Sequence, residues 1–327
     1  MPVPVPPELP EFIKTGNTFL VAGHKEPDGD CIGSQLALCS ALERLGKRAI
    51  PCSAGPFKRP EIRSFENRFI SRPEDSDREG GRVILVDCSE PERTGDLKPF
   101  LLGLPVAIVD HHALGNRGGW DTQPVLYLDT TAPSVTVMIL NLVEALGLRL
   151  TGEEAEFLLL GLCTDTGFFR HVDARGALTF TYAARLVEAG ANPKEIFKII
   201  NGGKSLGSRL LLGRVLSRAE AYYEGKLILS TETYEETQSF GKEGRDSDSL
   251  YQLLQSVAGV EAIVIIRQES PEKCSIGLRS RDWVNVAEVA LGFGGGGHKN
   301  AAGFSYQGLI GELRPAVVEA FKDQLVH

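Results

Sequence analysis

The sequence predicts an α/β protein made of a mostly parallel sheet flanked by helices, a helical connector and a smaller C-terminal α/β domain. Three observations lead to this fold class. The chain has 327 residues, a length more typical of two domains than of one. Through the first 190 residues, short apolar runs rich in β-forming residues alternate with helical patterns, as expected for βαβ units. After Lys226 a second series of strand and helix patterns begins.

The N-terminal domain is predicted to contain five strands with helices between and after them. The strands cover residues 18–22, 49–52, 82–86, 106–109 and 125–128. The first helix is predicted from about 33 to 45, and Gly29 and Gly33 are expected to let the preceding loop turn tightly. A second helix is predicted from about 134 to 147. A third opens at Thr151 with the capping-box pattern T-G-E-E.

The remainder of the chain is predicted to form a connector, residues 191–222, and a C-terminal domain, residues 223–327. The connector opens with Asn192-Pro193, an N-cap residue followed by proline at the first helical position. The C-terminal strands are predicted at 227–231, 262–268 and 274–278, and the helices near 249–257, 284–291 and 313–325. The N-terminal domain then spans residues 1–190.

The composition favours a globular protein with negative overall charge. Hydrophobic residues make up 42% of the chain, and the formal net charge is −8. This charge argues against binding of long duplex DNA, although a local basic pocket for a short charged ligand remains compatible with it. The six cysteines are scattered, which suits a reducing compartment. No apolar run approaches the roughly 18–20 residues of a membrane span, and no signal peptide is recognisable, so we expect a cytoplasmic protein without membrane association.

Potential metal ligands follow several of the predicted elements. They are His24, Asp28 and Asp30 after the first strand, Asp87 after the third, Asp110, His111 and His112 after the fourth, and Asp165 at the end of a helix. An isolated aspartate in such a place is usually a turn or cap residue. Here three of the chain's six histidines stand beside carboxylates at the sheet edge where open parallel sheets bind ligands. Several carboxylates that converge in a protein interior require a cation, so the pattern predicts a metal centre.

The donor types indicate which cation. Carboxylates and imidazoles without a thiolate suit Mn²⁺ and related ions better than a structural zinc. Even six of these eight residues are too many for one tetrahedral site and sufficient for two octahedral ions that keep positions open to water and substrate. Two ions about 3.5–4 Å apart are a recurrent arrangement for attack on phosphate esters. The sequence therefore predicts two Mn²⁺ in the site, with Mg²⁺ or Co²⁺ as substitutes.

These motifs resemble those of the DHH phosphoesterase superfamily. The segments that carry the resemblance are H-x-x-x-D-x-D at 24–30, V-D-C-S-E at 86–90, D-H-H at 110–112, T-D-T-G at 164–167, G-L-R-S-R at 277–281 and G-F-G-G-G-G-H-K-N-A-A-G-F at 292–304. They occur in the expected order over nearly the whole chain. The last two resemble the DHH-associated substrate-binding domain, and the two-domain layout is most similar to the bacterial nanoRNase/pAp-phosphatase group.

The resemblance implies a role for each residue. The six ligands are divided between two ions: His24 and Asp28 on the first, Asp30, His111 and Asp165 on the second, and Asp87 bridging both. His112 would contact the scissile phosphate or protonate the leaving oxygen. Asp110 would orient an imidazole. The resemblance also implies that residues 1–190 form the catalytic domain and 223–327 the substrate-binding domain, and it suggests a homodimer.

A local basic cluster is expected to bind the substrate. Three of its residues are the glycines Gly295, Gly296 and Gly297, which would offer backbone N–H groups to a phosphate or ribose. The polar residues His298 and Lys299 follow them directly. Arg279 and Arg281 flank the end of a predicted strand, where side chains two residues apart point the same way, so both are expected to reach the substrate and bind a terminal phosphate. Arg279 is the preferred candidate, and a surface position is the alternative for Arg281. Arg170 is a further candidate, with a surface ion pair as the alternative.

The function predicted from these motifs is that of a Mn²⁺-dependent phosphodiesterase that degrades RNA of about two to five nucleotides to mononucleotides. Dephosphorylation of 3'-phosphoadenosine 5'-phosphate (pAp) is a possible second activity. The main alternative is a phosphodiesterase for cyclic di-AMP or for linear dinucleotides. Two further hypotheses are a family II inorganic pyrophosphatase, which would lack the glycine-rich loop, and a non-catalytic nucleotide-binding module, which would be expected to have lost metal ligands.

Overall fold

The computed structural model describes residues 3–112, 119–174 and 176–326, and the chain divides into two compact units. The first unit comprises residues 1–203 and the second residues 204–327. The segment 191–222, predicted as a connector, contributes one helix to each unit.

The first unit is built around a five-stranded parallel sheet, as predicted. Its strands are β1 (Thr18–Ala22), β2 (Arg48–Cys52), β3 (Gly81–Val86), β4 (Val106–Asp110) and β5 (Val125–Leu128). Its helices are α1 (Glu8–Thr15), α2 (Gly29–Arg44), α3 (Asp75–Arg78), α4 (Lys98–Leu101), α5 (Val135–Ala145), α6 (Gly152–Asp165), α7 (Ala177–Glu188) and α8 (Pro193–Asn201). Two 3₁₀-helices cover Arg63–Arg68 and Pro91–Leu97.

Both faces of this sheet are covered. In β1, Phe19 and Val21 join a hydrophobic core that includes residues of α2, α5 and α6. Leu20 and Ala22 point the other way and join a second core that includes Leu101 of α4. Because parallel strands covered on both faces read as continuous apolar runs, the strands of this unit were predicted to within one residue at either end.

The strand order places a crevice between β1 and β3. The sheet has the order β2-β1-β3-β4-β5, so the chain leaves β1 in one direction and later returns to its other side. At such a switch point, the segments that follow the two central strands separate and leave room for a ligand. Ala22 is paired with Leu85, so the segments that carry His24 and Asp87 emerge side by side.

Helix α2 begins four residues earlier than predicted, and its glycines have a different role. Asp28 is the N-cap residue, whose Oδ1 accepts a hydrogen bond from the Cys31 backbone N–H at 3.1 Å. The prediction of a tight turn at Gly29 and Gly33 is wrong, because both residues are helical. A Cβ atom at Gly33 would lie 2.3 Å from the Phe157 carbonyl oxygen of α6. The glycines therefore allow the close approach of α2 and α6.

The second unit contains a six-stranded mixed sheet of order β10-β11-β9-β8-β7-β6. Its strands are β6 (Glu220–Tyr222), β7 (Leu227–Glu232), β8 (Ala262–Ser270), β9 (Lys273–Ser280), β10 (Gly296–His298) and β11 (Ala301–Gln307). Its helices are α9 (Leu206–Ser217), α10 (Tyr234–Phe240), α11 (Ser247–Gln255), α12 (Val286–Gly292), α13 (Ile310–Glu319) and α14 (Lys322–Leu325), with a 3₁₀-helix at Lys242–Gly244. The smaller α/β domain is thus confirmed, although β6, β10, β11 and α10 were not predicted.

Helices cover both faces of the second sheet as well. On β9, Ile276 and Leu278 are buried in a core that includes residues of α12 and α13. Residues of α9 and α11 form another core with Ile263 and Ile265 of β8. Across residues 3–112, 119–174 and 176–326, none of the helices combines the length and apolar composition that crossing a bilayer requires.

Candidate active site

The carboxylate of Asp87 lies between two imidazoles at the carboxyl end of the first sheet. Its Oδ2 is 3.3 Å from His24 Nε2, and its Oδ1 is 3.7 Å from His111 Nε2. The side chain is almost fully buried. Two oxygens of one carboxylate therefore face two different histidines, which come from the segments after β1 and β4.

Each of the two histidines has further carboxylates beside it. His24 Nε2 is 3.9 Å from Asp28 Oδ1. His111 Nε2 is 4.0 Å from Asp30 Oδ2 and 3.5 Å from Asp165 Oδ2. The structure thus brings together all six residues predicted as metal ligands, in two groups that share Asp87. The ligand atoms of Asp30, His111 and Asp165 lie within 4.8 Å of one another.

Asp87 has an unusual backbone conformation. Its φ angle is +61°, in the left-handed region that non-glycine residues seldom adopt. The backbone is held there by the Asp87 N–H, which donates to the Val109 carbonyl of β4 at 3.0 Å. Such conformations cost about 1–3 kcal/mol and concentrate at functional sites, where the surrounding fold maintains them.

The two histidines are oriented by backbone carbonyls. His24 Nδ1 donates to the Lys25 carbonyl at 2.9 Å, and His111 Nδ1 donates to the Ala132 carbonyl at 3.1 Å. Since a carbonyl only accepts, Nδ1 carries a proton in both rings, and Nε2 faces the carboxylates. This is the usual arrangement of an imidazole that binds a metal through Nε2.

The charges of the cluster also fit a cation. Burial raises the pKa of Asp165 to about 6, and it raises the pKa values of Asp30 and Asp87 as well. Burial would lower the pKa of His24, but its hydrogen bonds to Asp28 and Asp87 outweigh this effect and raise it to about 10. Without a metal, the site must retain protons to limit repulsion among its carboxylates. Oxygen and imidazole donors in this number suit divalent ions such as Mn²⁺.

Metal affinity is expected to increase with pH. A divalent ion must displace the proton of Asp165, which is held up to about pH 6, and that of His24, which is held up to about pH 10. The association constant should therefore rise by about tenfold or more per pH unit between about pH 5 and 7, with proton release on binding. Isothermal titration calorimetry with Mn²⁺ in buffers of different ionisation enthalpy measures both quantities. A pH-independent association constant would contradict this electrostatic description.

Asp30 is connected to the N-terminus of α5 as well as to the site. Its Oδ2 accepts a hydrogen bond from the Val135 N–H at 2.7 Å, and its Oδ1 accepts one from the Thr136 N–H at 2.9 Å. The Asp30 side chain is completely buried. It therefore caps a helix more than one hundred residues away in sequence, while each of its oxygens keeps a second lone pair for another partner.

Asp30→Ala is expected to lower the free energy of unfolding of the metal-free protein by about 2–4 kcal/mol, because two buried N–H groups lose their acceptor. Asp165→Ala is the matched control, since 29% of that side chain is exposed and its pKa is raised by burial. We expect Asp165→Ala to leave the stability unchanged or to increase it. Urea denaturation with EDTA present measures both values, and equal losses in the two variants would contradict the capping role.

Asp110 and His112 form a hydrogen-bonded pair at the edge of the cluster. Asp110 Oδ1 accepts hydrogen bonds from His112 Nδ1 at 2.8 Å and from the His112 backbone N–H at 3.1 Å. The bond to Asp110 raises the pKa of His112, and the carboxylate is buried while 42% of the imidazole is exposed. His112 Nδ1 is also 3.7 Å from Asp87 Oδ1. The pair has the geometry of an oriented, protonatable imidazole next to the proposed metal ligands.

Cys31 lies close to the cluster, but its state does not suit a ligand. Its sulfur is grouped with His24 and Asp87 within 4.8 Å. Burial, together with the nearby carboxylates of Asp87 and Asp28, raises the pKa of the thiol well above its usual value. Because metals bind the thiolate, Cys31 is better described as a packed side chain of α2.

Arg170 lies five residues beyond Asp165, in the turn that follows α6. Its side chain is exposed, and its Nε donates to the Gly167 carbonyl at 2.9 Å. The turn positions this guanidinium at the surface of the first unit. Its predicted role in substrate binding remains a prediction.

The predicted substrate-binding residues of the second unit lie along two strands of its sheet. Arg279 is on β9, whereas Arg281 follows the strand and is 4.0 Å from Asp282. Gly296, Gly297 and His298 form β10, an exposed edge strand that pairs with β11. The backbone on the outer side of an edge strand is free of ladder partners, which suits the predicted contact with a ligand.

The close pairing of β10 depends on its glycines. A Cβ atom at Gly297, where φ is +148°, would lie 2.5 Å from the Ala301 carbonyl oxygen. A Cβ atom at Gly295 would lie 2.3 Å from the Gly303 carbonyl oxygen. The Nζ of Lys299, the residue after the strand, donates to the Asp282 carbonyl at 3.0 Å.

Sequence comparisons identify two families along the chain. The model of the DHH family, N-terminal domain, matches residues 18–162, and that of the DHHA1 domain matches residues 227–326. The first match covers the strands β1 to β5, and the second covers the sheet of the second unit from β7 onwards.

Two curated relatives match most of the chain. A bifunctional oligoribonuclease and PAP phosphatase, NrnA of Thermus thermophilus, is 31% identical over 313 residues, which cover 93% of this chain and 89% of that protein. A cyclic-di-AMP phosphodiesterase, PdeA of Listeria monocytogenes, is 26% identical over 312 residues, which cover 90% of this chain and 46% of that protein. The match to the first relative is thus nearly end to end, whereas the second is about twice as long as this chain.

A solved structure supports the fold. The crystal structure of an exopolyphosphatase-related protein from Bacteroides fragilis matches with a TM-score of 0.79 and 22% sequence identity, and the match covers 98% of this chain and 97% of that one. At this identity, the likeness concerns the fold. The two family matches and the 31% identical relative show that the chain belongs to the DHH family of metal-dependent enzymes that hydrolyse phosphate ester bonds.

Proposed function

We propose that this chain is a Mn²⁺-dependent phosphodiesterase that degrades RNA of about two to five nucleotides to mononucleotides and also dephosphorylates pAp. The substrate class follows the Thermus relative, a bifunctional oligoribonuclease and PAP phosphatase that matches over 93% of the chain. The proposed partners are short RNA, dinucleotides and pAp. A cytoplasmic location and a homodimer belong to the same proposal.

The observation that carries the proposal is the shared carboxylate of Asp87. One of its oxygens lies 3.3 Å from His24 and the other 3.7 Å from His111, so that a single residue can hold two ions next to each other. His24 and Asp28 would complete the first ion's donor set. Asp30, His111 and Asp165 would complete the second. Two ions held by these residues would lower the pKa of a bound water and would neutralise charge on the phosphate.

The residues around this centre have roles that their own contacts support. The left-handed backbone of Asp87 presents both carboxylate oxygens to the site. The bonds from Nδ1 of His24 and His111 to carbonyls keep their Nε2 atoms directed inward. His112 is held through Nδ1 by Asp110, so its Nε2 is the nitrogen that can donate a proton to the leaving oxygen.

The second unit supplies features that suit a nucleotide phosphate. Arg279 and Arg281 offer guanidinium groups, which bind phosphates through two parallel hydrogen bonds. The backbone N–H groups of Gly295, Gly296 and Gly297 lie on or beside an exposed edge strand, where no side chain obstructs an anion. His298 and Lys299 add polar groups directly after the glycines. Within the first unit, Arg170 is proposed separately as a substrate-binding cation.

A substrate panel tests the proposal. The protein is incubated with Mn²⁺ and with equal concentrations of RNA of two, three, five and about ten nucleotides, of pAp, of cyclic di-AMP and of inorganic pyrophosphate, and kcat/KM is measured for each. We expect the highest values for the shortest RNAs, measurable release of phosphate from pAp, and little turnover of the longest RNA. Asp87→Asn serves as the inactive control.

Three outcomes would overturn the proposed function. Preference for cyclic di-AMP over the linear dinucleotide would favour the activity named for the Listeria relative. Turnover of inorganic pyrophosphate alone would favour a pyrophosphatase. Tight dinucleotide binding without Mn²⁺-stimulated turnover would indicate a binding module.

A further inference from the structure

Arg279 is held by an aromatic ring and not by a carboxylate. Its guanidinium carbon lies 4.6 Å from the centroid of the Tyr251 ring, which belongs to α11. One guanidinium nitrogen, Nη1, donates to the adjacent Leu278 carbonyl at 2.9 Å. In the part of the chain that the structure describes, no ion pair joins Arg279 to an acidic side chain.

Neighbouring arginines of the same unit are held differently. Arg245 and Arg267 are both mostly buried, and both form ion pairs with Glu232, at 2.7 and 3.3 Å. A carboxylate partner fixes a guanidinium but also neutralises it. An aromatic face fixes the guanidinium while leaving its charge and most of its five N–H donors for another anion.

Tyr251 is itself firmly fixed. Only 6% of its surface is exposed, and it lies in the hydrophobic core that also contains Leu250, Leu254 and Ile265. A buried aromatic side chain loses little further conformational freedom when it supports a ligand-binding group. The ring can therefore restrict a long and flexible arginine before any substrate is bound.

Gly277 leaves the space that the Tyr251 side chain needs. A Cβ atom at Gly277 would lie 2.1 Å from the Tyr251 hydroxyl oxygen and 3.3 Å from the ring carbon that carries it. Gly277 and Arg279 are two residues apart on β9, so their positions lie on the same face of the sheet. The glycine thus lets the phenol cross β9 next to Arg279.

We propose that Tyr251 is a positioning residue that preorients the guanidinium of Arg279 for a substrate phosphate, and that Gly277 is required for this role. The inference rests on the proposed function, in which Arg279 binds the phosphate of a short nucleotide. It adds Tyr251, which the sequence motifs do not include, and it gives a role to Gly277, the first residue of the G-L-R-S-R segment. Tyr251 acts through Arg279 and takes no part in the chemical step.

Steady-state kinetics with a 5'-phosphorylated dinucleotide test this role. Tyr251→Leu is expected to raise KM by about three- to thirtyfold with kcat within about twofold, since a desolvated cation–π contact has this magnitude. Tyr251→Phe keeps the ring and is expected to retain the wild-type KM. Tyr306→Leu removes a tyrosine from β11 of the same sheet and is the matched control, with an unchanged KM.

Two combinations distinguish positioning from general stability. In an Arg279→Ala background, Tyr251→Leu should have no further effect on KM, because the group that it orients is gone. Gly277→Ala should raise KM through the clash with the hydroxyl, and adding Tyr251→Phe should restore it, because the phenylalanine lacks that oxygen. Circular dichroism and thermal unfolding establish that each variant is folded.

The results separate the inference from the function on which it rests. If the wild-type protein does not hydrolyse the dinucleotide, the proposed function fails. If it does, and a folded Tyr251→Leu variant keeps the wild-type KM, the positioning role alone is wrong. An equal increase in KM by Tyr251→Leu with and without Arg279 would likewise overturn it.

Discussion

Asp87→Asn is expected to lower kcat/KM for a dinucleotide by at least about 1000-fold, because the two proposed ions would lose the carboxylate that is proposed to bind both. Asparagine has nearly the same shape but lacks the charge, and only one of its two terminal atoms can bind a cation. Since burial raises the pKa of Asp87, the neutral side chain should not destabilise the metal-free protein. The measurement is turnover at saturating Mn²⁺, together with thermal unfolding in EDTA.

Asp77→Asn is the matched control for this variant. Asp77 is another buried aspartate of the first unit, but its partner is Arg48, the first residue of β2. Arg48 therefore lies at the amino ends of the parallel strands, whereas the cluster lies at their carboxyl ends. We expect lower stability with kcat/KM within about twofold of wild type, since the pair contributes to folding and not to chemistry. Wild-type activity in Asp87→Asn would refute the role of the shared carboxylate.

His112→Ala is expected to lower kcat for RNA by about 100- to 10,000-fold while leaving Mn²⁺ affinity close to wild type. The reason is that His112 lies beside the ligand cluster and is oriented by Asp110, so that it can protonate a leaving oxygen. A p-nitrophenyl phosphodiester, whose leaving group needs no proton, should be affected much less. Equal losses for both substrates would contradict a role in general acid catalysis.

The pH profile gives an independent readout of this role. An acid catalyst must be protonated, so kcat should fall as the pH rises through the pKa of His112. The hydrogen bond to Asp110 raises that pKa. Asp110→Asn removes the negative charge and should therefore shift the alkaline limb of the profile to lower pH. An unshifted limb would mean that another group limits the rate.

The location of the site could be predicted because its residues follow buried parallel strands. Continuous apolar runs identified β1, β3 and β4, and the carboxyl ends of parallel strands meet at one edge of a sheet. The side chains after these strands, His24, Asp87 and His111, therefore had to converge. Their convergence could therefore be predicted without knowing how the helices pack on the sheet.

Other features depended on contacts that no local pattern indicates. Gly29 and Gly33 resemble turn residues, but they lie inside α2 because α6 passes close to them. The bonds from Asp30 to the N-terminus of α5 span more than one hundred residues. The hairpin of β10 and β11 is rich in glycine and alanine, which have low β-propensity. Its strand conformation therefore depends on the pairing of β10 with β11 and of β11 with β9.

The contact between Tyr251 and Arg279 has the same origin. The two residues are 28 positions apart, on a helix and a strand that meet only in the folded unit. Arg279 and Gly277 both stand in the G-L-R-S-R segment, whereas nothing local marks Tyr251. Residues that orient a binding group are generally visible only once the packing is known.

The most direct test of the two-ion centre is anomalous diffraction from crystals of the protein soaked in Mn²⁺. We expect two manganese peaks about 3.5–4 Å apart, with one Asp87 oxygen bound to each ion. His24 and Asp28 should bind the first ion, and Asp30, His111 and Asp165 the second. A single fully occupied peak, or two peaks that do not share Asp87, would contradict the two-ion centre.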